Sequence, residues 1–200
     1  GIRIPVHYDY SKTIASPEYD PLNPDVILKE ELNQLNATQR DSVRSITNDV
    51  VTRQNLNFMN VRKDRVAAKG LPKLWDIENF DLSYAYSEIN ERNIDIESSN
   101  KKSHRGGLGY NFAINSKNIK PFQNIIKSKH LNLIKDFNFY YLPKMLSFRS
   151  DMYREYQSRL LRNKSQALII IEPSITKIWD WNRIYDLRYD VTQSLKLDYN

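Results

Sequence analysis

The side chains able to do chemistry are scattered. The three histidines, His7, His104 and His130, stand far apart along the chain, whereas a metal site needs its ligands gathered. Cysteine is absent, which excludes disulfides and thiolate ligands. Glu30 and Glu31 are adjacent and cannot share one helix face, so they read as solvated and not as an acid and base acting together. Arg105-Gly-Gly-Leu-Gly109 lacks the lysine and hydroxyl residue of a phosphate loop; inside a strand such glycines permit a bend or a close approach to another backbone. No serine has the surroundings of a nucleophile elbow. Lys117, Lys120, Lys127 and Lys129, with Phe122, Ile125 and Ile126, could build a short amphipathic helix touching lipid head groups or a partner, but a solvated loop is the simpler reading. The expectation is a chain that is not an enzyme and binds no cofactor or metal.

Composition narrows the alternatives. A length of 200 residues suits one domain or a piece of something larger, and five glycines and eight prolines exclude a collagenous or low-complexity chain. Mean hydropathy is −0.66, and no apolar run approaches the roughly 18 residues of a spanning helix. A barrel wall would give the same average, because alternate residues meet lipid and lumen. The net charge of +6 permits contact with anionic partners, but carboxylates are interspersed among the cations, so nucleic acid is not expected. Gly1-Ile-Arg-Ile-Pro5 starts within an alternating pattern without the apolar stretch of a signal peptide, and the last residues stop within another. Both ends therefore read as cut, with an export signal expected further upstream.

The elements that position these residues are strands. Ile2, Ile4, Val6, Tyr8 and Tyr10 alternate with polar neighbours, as do Phe80 to Tyr86 and Leu108 to Ile114. Leu131, Leu133, Phe137, Phe139 and Tyr141 share one parity, as do Leu146, Phe148, Met152 and Tyr156. In residues 178–191, Trp179, Trp181, Tyr185, Leu187 and Tyr189 alternate with Asp180, Asp186, Arg188 and Asp190. Leu195, Leu197 and Tyr199 begin another strand. Leu142-Pro143-Lys144 and Thr192-Gln193-Ser194 read as tight turns on one rim, with 115–129 and 161–177 as longer loops on the other, and 89–103 as a connection on the short-turn side. Residues 11–78 read as a mostly helical and loop insertion, with a turn cluster at 20–25, helical spacing near 25–50 and a capping box from Thr38 to Asp41. Residues 55–60 could add a short strand.

The fold expected is all-β: an antiparallel meander forming part of a large transmembrane β-barrel, with residues 1–10 and 79–200 in the wall. A soluble sandwich also alternates, but stretches such as 145–157 exceed both the usual strand of about 5–6 residues and the roughly 9–11 that cross a membrane. The aromatic parity is the kind that settles at membrane interfaces. The expected lumen-facing residues are Arg149, Asp151, Glu155, Asp180, Asp186, Arg188 and Asp190. Those expected to face lipid or a partner are Phe137, Phe139, Trp179, Trp181, Tyr185, Leu187 and Tyr189. Lys135 and Arg183 fall on the apolar parity and are expected near an interface or under a partner.

Several stretches resemble one family in order and spacing. They are Asp20-Pro-Leu-Asn-Pro-Asp25, Arg40-Asp41-Ser42, Asn60-Val-Arg-Lys63, Trp75-Asp-Ile-Glu-Asn-Phe80 leading into Tyr84-Ala-Tyr86, Asp136-Phe-Asn-Phe139, Leu142-Pro143, Ser147-Phe-Arg149, Trp181-Asn-Arg183 and Tyr185-Asp-Leu-Arg-Tyr-Asp190. Together they resemble the SprA (Sov) family, the outer-membrane translocon of type IX secretion in Bacteroidota. The resemblance covers essentially the whole chain. It implies a piece of a very large barrel that exports folded cargo proteins and supports gliding motility in some species. It also implies a PorV-type barrel, a plug protein and other type IX subunits as partners, within outer-membrane lipid. A different outer-membrane barrel, such as a nutrient transporter or porin, and a soluble β-rich interaction module remain the alternatives.

Overall fold

The computed structural model describes residues 1–65, 72–125, 131–164 and 170–200. Its main body is one eight-stranded antiparallel sheet. The strands are β1 (Ile2–Arg3), β2 (Val6–Ala15), β5 (Asp49–Lys63), β6 (Phe80–Arg92), β7 (Ile96–Ala113), β8 (Met145–Leu161), β9 (Ser174–Asp190) and β10 (Lys196–Tyr199). From β5 to β10 each strand pairs with the next in the chain, and β1 and β2 share the outer side of β5. The all-β antiparallel meander is thus present. β8 and β9 each contain 17 residues, longer than the alternation had outlined.

The remaining elements sit at the two ends of this sheet. Between β2 and β5 a small two-stranded sheet, β3 (Tyr19–Asp20) with β4 (Asn23–Ile27), leads into helices α1 (Leu28–Gln34) and α2 (Ala37–Thr47). The turn cluster is the corner of that hairpin, where the Asp20 carboxylate accepts the Leu22 amide at 3.0 Å. The capping box lies earlier than expected. Asn36 Oδ1 accepts the Gln39 amide at 2.9 Å, and Gln39 Oε1 accepts the Asn36 amide at 3.2 Å.

Two stretches of residues 11–78 belong to the main sheet. β2 continues to Ala15, and Asp49–Lys63 forms a full strand of the sheet. Val43, Ile46 and Val50 continue a helical spacing on paper, but the helix ends at Thr47, and the β-branched Val50 and Val51 open β5. Pairing on both sides, to β2 and to β6, holds the asparagine-rich middle of β5 extended although its apolar pattern is broken. At Met59 and Asn60 the register shifts. Asn60 takes a left-handed conformation with φ 52°, and its amide donates to Ser83 Oγ at 3.0 Å, the signature of a bulge.

Two further expectations fail. Residues 89–103 are not a connection. β6 and β7 run through them, and residues 93–95 make the turn, with Asn93 Oδ1 accepting the Asp95 and Ile96 amides. Residues 131–141 are not a wall strand either. They hold the helical turn α3 (Asn132–Lys135) and an isolated bridge from Phe139 to Ile119. Both edges of β7 are already taken by β6 and β8, so no partner remains for that segment inside the sheet. The connection 114–144 is instead tied to the end of β9: Tyr189 hydroxyl donates to the Tyr140 carbonyl at 2.7 Å, and the Tyr140 amide to the Val191 carbonyl at 3.1 Å. Long and short connections therefore mix on each rim. The insertion at 16–48, the turn at 93–95 and the connection at 162–173 share one end, while 64–79, 114–144 and 191–195 share the other.

Little apolar surface is enclosed. Among the described residues the buried hydrophobics are Leu28, Val50, Ile96 and Phe112, none adjacent in sequence. No described helix is long and apolar enough to cross a membrane, which says nothing of strands. Phe112 is 1% exposed whereas Leu133 in α3 is 94% exposed. Phe112→Ala is expected to lower stability by about 3–5 kcal/mol and Leu133→Ala by less than about 0.5 kcal/mol, read by denaturant unfolding.

Arg65 and residues 72–79 are held by a charge and by the backbone. Asp76 Oδ2 accepts the Lys73 amide at 2.9 Å and Arg65 at 2.7 Å, and the Tyr110 hydroxyl donates to the Leu74 carbonyl at 2.8 Å. The Lys73 amide, then the Arg65 guanidinium, hold the Asp76 carboxyl below the usual carboxylate range. A depressed folded pKa stabilises above the unfolded value and loses that contribution as pH falls through the folded one. Amide exchange at Lys73 should therefore lose protection on acidification below the ordinary carboxylate range, and Asp76→Asn should show the same loss already at neutral pH.

Candidate functional site

Directly opposed residues in an antiparallel ladder share a face, so the register sorts the side chains. On one face, Phe80, Tyr110, Phe148 and Tyr185 form a row across β6, β7, β8 and β9. The next rows contain Leu82 with Leu108, then Phe58, Tyr84, Met152 and Trp181, then Leu56, Tyr86 and Trp179. Rings meet within rows: Phe80 and Tyr110 centroids are 4.9 Å apart, and those of Phe148 and Tyr185 5.0 Å. Trp179, Trp181, Tyr185, Leu187 and Tyr189 all lie on this aromatic face, as expected from their parity. Phe137 and Phe139 do not belong to it as strand residues. They lie in the connection 114–144, where Phe137 packs near Phe122 and Phe139 at 6.3 and 6.1 Å.

The cations of the apolar parity are accommodated in different ways. Arg183 lies on the aromatic face with its guanidinium 4.2 Å from the Trp181 ring centre, a cation–π contact. Trp181 Nε1 donates to Ser150 Oγ at 2.8 Å. Lys135 sits in α3, away from the sheet.

The opposite face is polar and of mixed charge. Arg149, Asp151, Glu155, Asp180, Asp186, Arg188 and Asp190 all fall on it. Arg149 Nε donates to Asp151 Oδ2 at 2.7 Å, and Asp190 stands opposite Lys196. Arg188 and Asp198 approach to 4.0 Å with both side chains more than half exposed, so that pair contributes little. Glu155 departs from the expectation of a wet carboxylate: it is 7% exposed, held by Lys101 Nζ at 2.9 Å and by the Tyr153 hydroxyl. Its charge is satisfied within the sheet by these two side chains.

Gly107 and Gly109 acquire a role the motif did not reveal. Asp81, Gly109 and Arg149 form one row across three strands, and Ser83, Gly107 and Asp151 the next. A Cβ on Gly109 would lie 2.3 Å from Asp81 Oδ1, and one on Gly107 3.1 Å from Asp151 Oδ1. The missing side chains make room for carboxylates from the neighbouring strands, where a bend or a backbone approach had been expected. They floor a depression of about 510 Å³ that Asp81, Arg149, Asp151, Asp180 and Asn182 also line. Asp81 is one of the polar residues in the alternation of 80–86, and its significance lies in the register opposite Gly109.

A second cluster, absent from the sequence reading, interrupts the aromatic face. Glu88 accepts the Tyr86 hydroxyl at 2.6 Å, Gln54 Nε2 at 2.7 Å, Asn100 Nδ2 at 3.0 Å and Asn90 Nδ2 at 3.2 Å. Such a carboxylate, spanning β5, β6 and β7, is satisfied as a structural junction. Of the histidines, His104 joins the aromatic face, with Nδ1 2.9 Å from the Tyr84 hydroxyl, and His7 lies exposed on β2. His130, with Ile126, Lys127 and Lys129 of the basic loop, lies outside the described residues; residues 121–125 form turns and not a helix. Glu30 is exposed and Glu31 half-buried on α1. Among the described residues no three potential metal ligands converge. The arrangement is suited to presenting two unlike surfaces. The chain matches no family model and no curated protein.

The glycine floor yields a graded test. Gly109→Ala is expected to displace the Asp81 carboxylate and cost about 1–3 kcal/mol by overpacking. Gly106→Ala meets only Met152 Cε at 3.8 Å and should be nearly neutral. Adding Asp81→Ala to Gly109→Ala should recover most of the loss in a double-mutant cycle of unfolding free energies.

Proposed function

We propose that this chain is part of the wall of an outer-membrane channel that exports folded proteins from the periplasm to the cell surface. The observation that carries the reading is a single-layer sheet with two unlike faces. One is an aromatic and aliphatic surface left exposed across several strands, with Tyr8, Leu82, Trp179, Trp181 and Tyr185 each at least half exposed. The other is polar and carries both signs of charge. A soluble sandwich would cover the aromatic face with a second sheet, because a broad exposed apolar surface is costly in water. A bilayer or a partner barrel supplies that cover instead.

Strand dimensions suit the same reading. Trp179 to Tyr189 extends about 34 Å along β9, or about 24 Å of membrane depth at a tilt near 45°. That matches the roughly 25 Å apolar band of outer-membrane barrels. The resemblance of the quoted motifs to the SprA family supplies the protein-conducting role, the PorV-type and plug partners and the link to gliding motility. The role of this segment is passive: its hydrated mixed-charge face lets folded cargo pass without adhering.

Single cysteines test the assignment in the full-length protein in cells. Tyr185→Cys should resist a membrane-impermeant polar thiol reagent, and Asp186→Cys should react. A bulky adduct at Asp186→Cys should slow cargo release to the medium, while one forced onto Tyr185→Cys by an apolar reagent should not. Labelling in the reverse pattern would overturn the wall reading. The expected labelling without any effect on cargo would favour a nutrient-transporting or porin-like barrel.

A further inference from the structure

The aromatic face changes character at one level. Beyond the row of Leu56, Tyr86 and Trp179, the next row is Gln54, Glu88, Lys102, Tyr156 and Lys177. Lys102 and Lys177 stand on either side of Tyr156, and Arg154 lies between His104 and Trp179 in the row before. Lys102 and Lys177 are two strand spacings apart, about 10 Å between backbones, so their long side chains can converge over the Tyr156 ring. Arg154, Tyr156, Lys177 and Trp179 are exposed. The acid nearest in these rows is Glu88, which already accepts four neutral donors and stands 3.7 Å from Lys102 Nζ. Lys12 adds a cation further along the same face on β2, opposite Thr52. At the opposite end of the face the corresponding cation, Lys63, is paired with Glu78 at 3.2 Å.

We infer that Lys102, Arg154 and Lys177, set around Tyr156 and Trp179, form a seat for the phosphate head groups of the lipid leaflet at this end of the wall. The inference rests on the wall reading of the aromatic face and deepens it by naming the lipid chemistry met at one boundary. Aromatic rings belong at the depth where hydrocarbon gives way to head groups, and cations one row further out meet phosphate. Each cation near an anionic surface is worth about 1 kcal/mol, or about fivefold in association. Arg154 and Lys177 face no acid directly across the ladder, whereas Lys63 at the other end is paired with Glu78, so the seat is one-sided.

The test uses the full-length protein in phosphatidylcholine vesicles carrying spin-labelled phosphatidylglycerol or spin-labelled phosphatidylcholine. The anionic label should associate preferentially with the protein. The preference should fall about fivefold in Arg154→Gln and further in the triple Lys102→Gln, Arg154→Gln, Lys177→Gln variant. Arg154→Lys should retain most of it. An unchanged preference in the triple variant, with insertion intact, overturns the seat while leaving the wall reading standing. Displacement of the label by millimolar inorganic phosphate would show a site for free anions and also overturn it. Failure of the unmodified protein to float with vesicles of either kind would instead sink the wall reading, and the seat with it.

Discussion

The ladder between β7 and β8 is the constraint on which the other features depend. It pairs Ile96–Ala113 with Met145–Leu161 almost without interruption, the one register shift lying at the Ile96 end. Each row across the sheet inherits its alignment from this pairing. A slip of one residue would send Phe148 and Met152 to the charged face and Arg149 and Asp151 to the aromatic one. Side chains on the charged face reinforce the register: Ser147 Oγ donates to Asn111 Oδ1 at 3.0 Å, and Lys101 pairs with Glu155. Individually such cross-strand pairs contribute roughly 0.2–1 kcal/mol, but they repeat along the ladder.

The charged face accommodates its carboxylates by two devices. At Gly107 and Gly109 the strand gives up side chains so that the Asp151 and Asp81 carboxylates have room, with Asp151 held by Arg149. At Glu155 the carboxylate is drawn under Lys101 and Tyr153, with Arg105 stacked 5.2 Å from the Tyr153 ring centre. The result is a surface of mixed charge and small residues, from which Ile178 and Ile184 also project.

The aromatic face has an edge, and Glu88 marks it. Four neutral donors from three strands hold that carboxylate, so the polar junction also fixes where β5, β6 and β7 align. Tyr86 takes part in both regions, with its ring near His104 at 5.0 Å and its hydroxyl on Glu88. Amphipathic rings of this kind suit a boundary between apolar and polar surroundings.

The period of two in the sequence was enough to determine the class of the fold and the division of β8 and β9 into unlike faces, because alternation follows from strand geometry alone. Trp179, Trp181 and Tyr185 against Asp180 and Asp186 required no tertiary information. The extended state of Gln54, Asn55 and Asn57 was decided by neighbours on both sides, since backbone pairing imposes a strand where the apolar pattern is silent. The exclusion of Phe137 and Phe139 from the sheet was decided the same way, by the occupation of both edges of β7. Long-range register alone brought Asp81 over Gly109 and Gln54, Asn90 and Asn100 onto Glu88. Contacts between strands separated by tens of residues depend on which rows meet, and no local pattern carries that information.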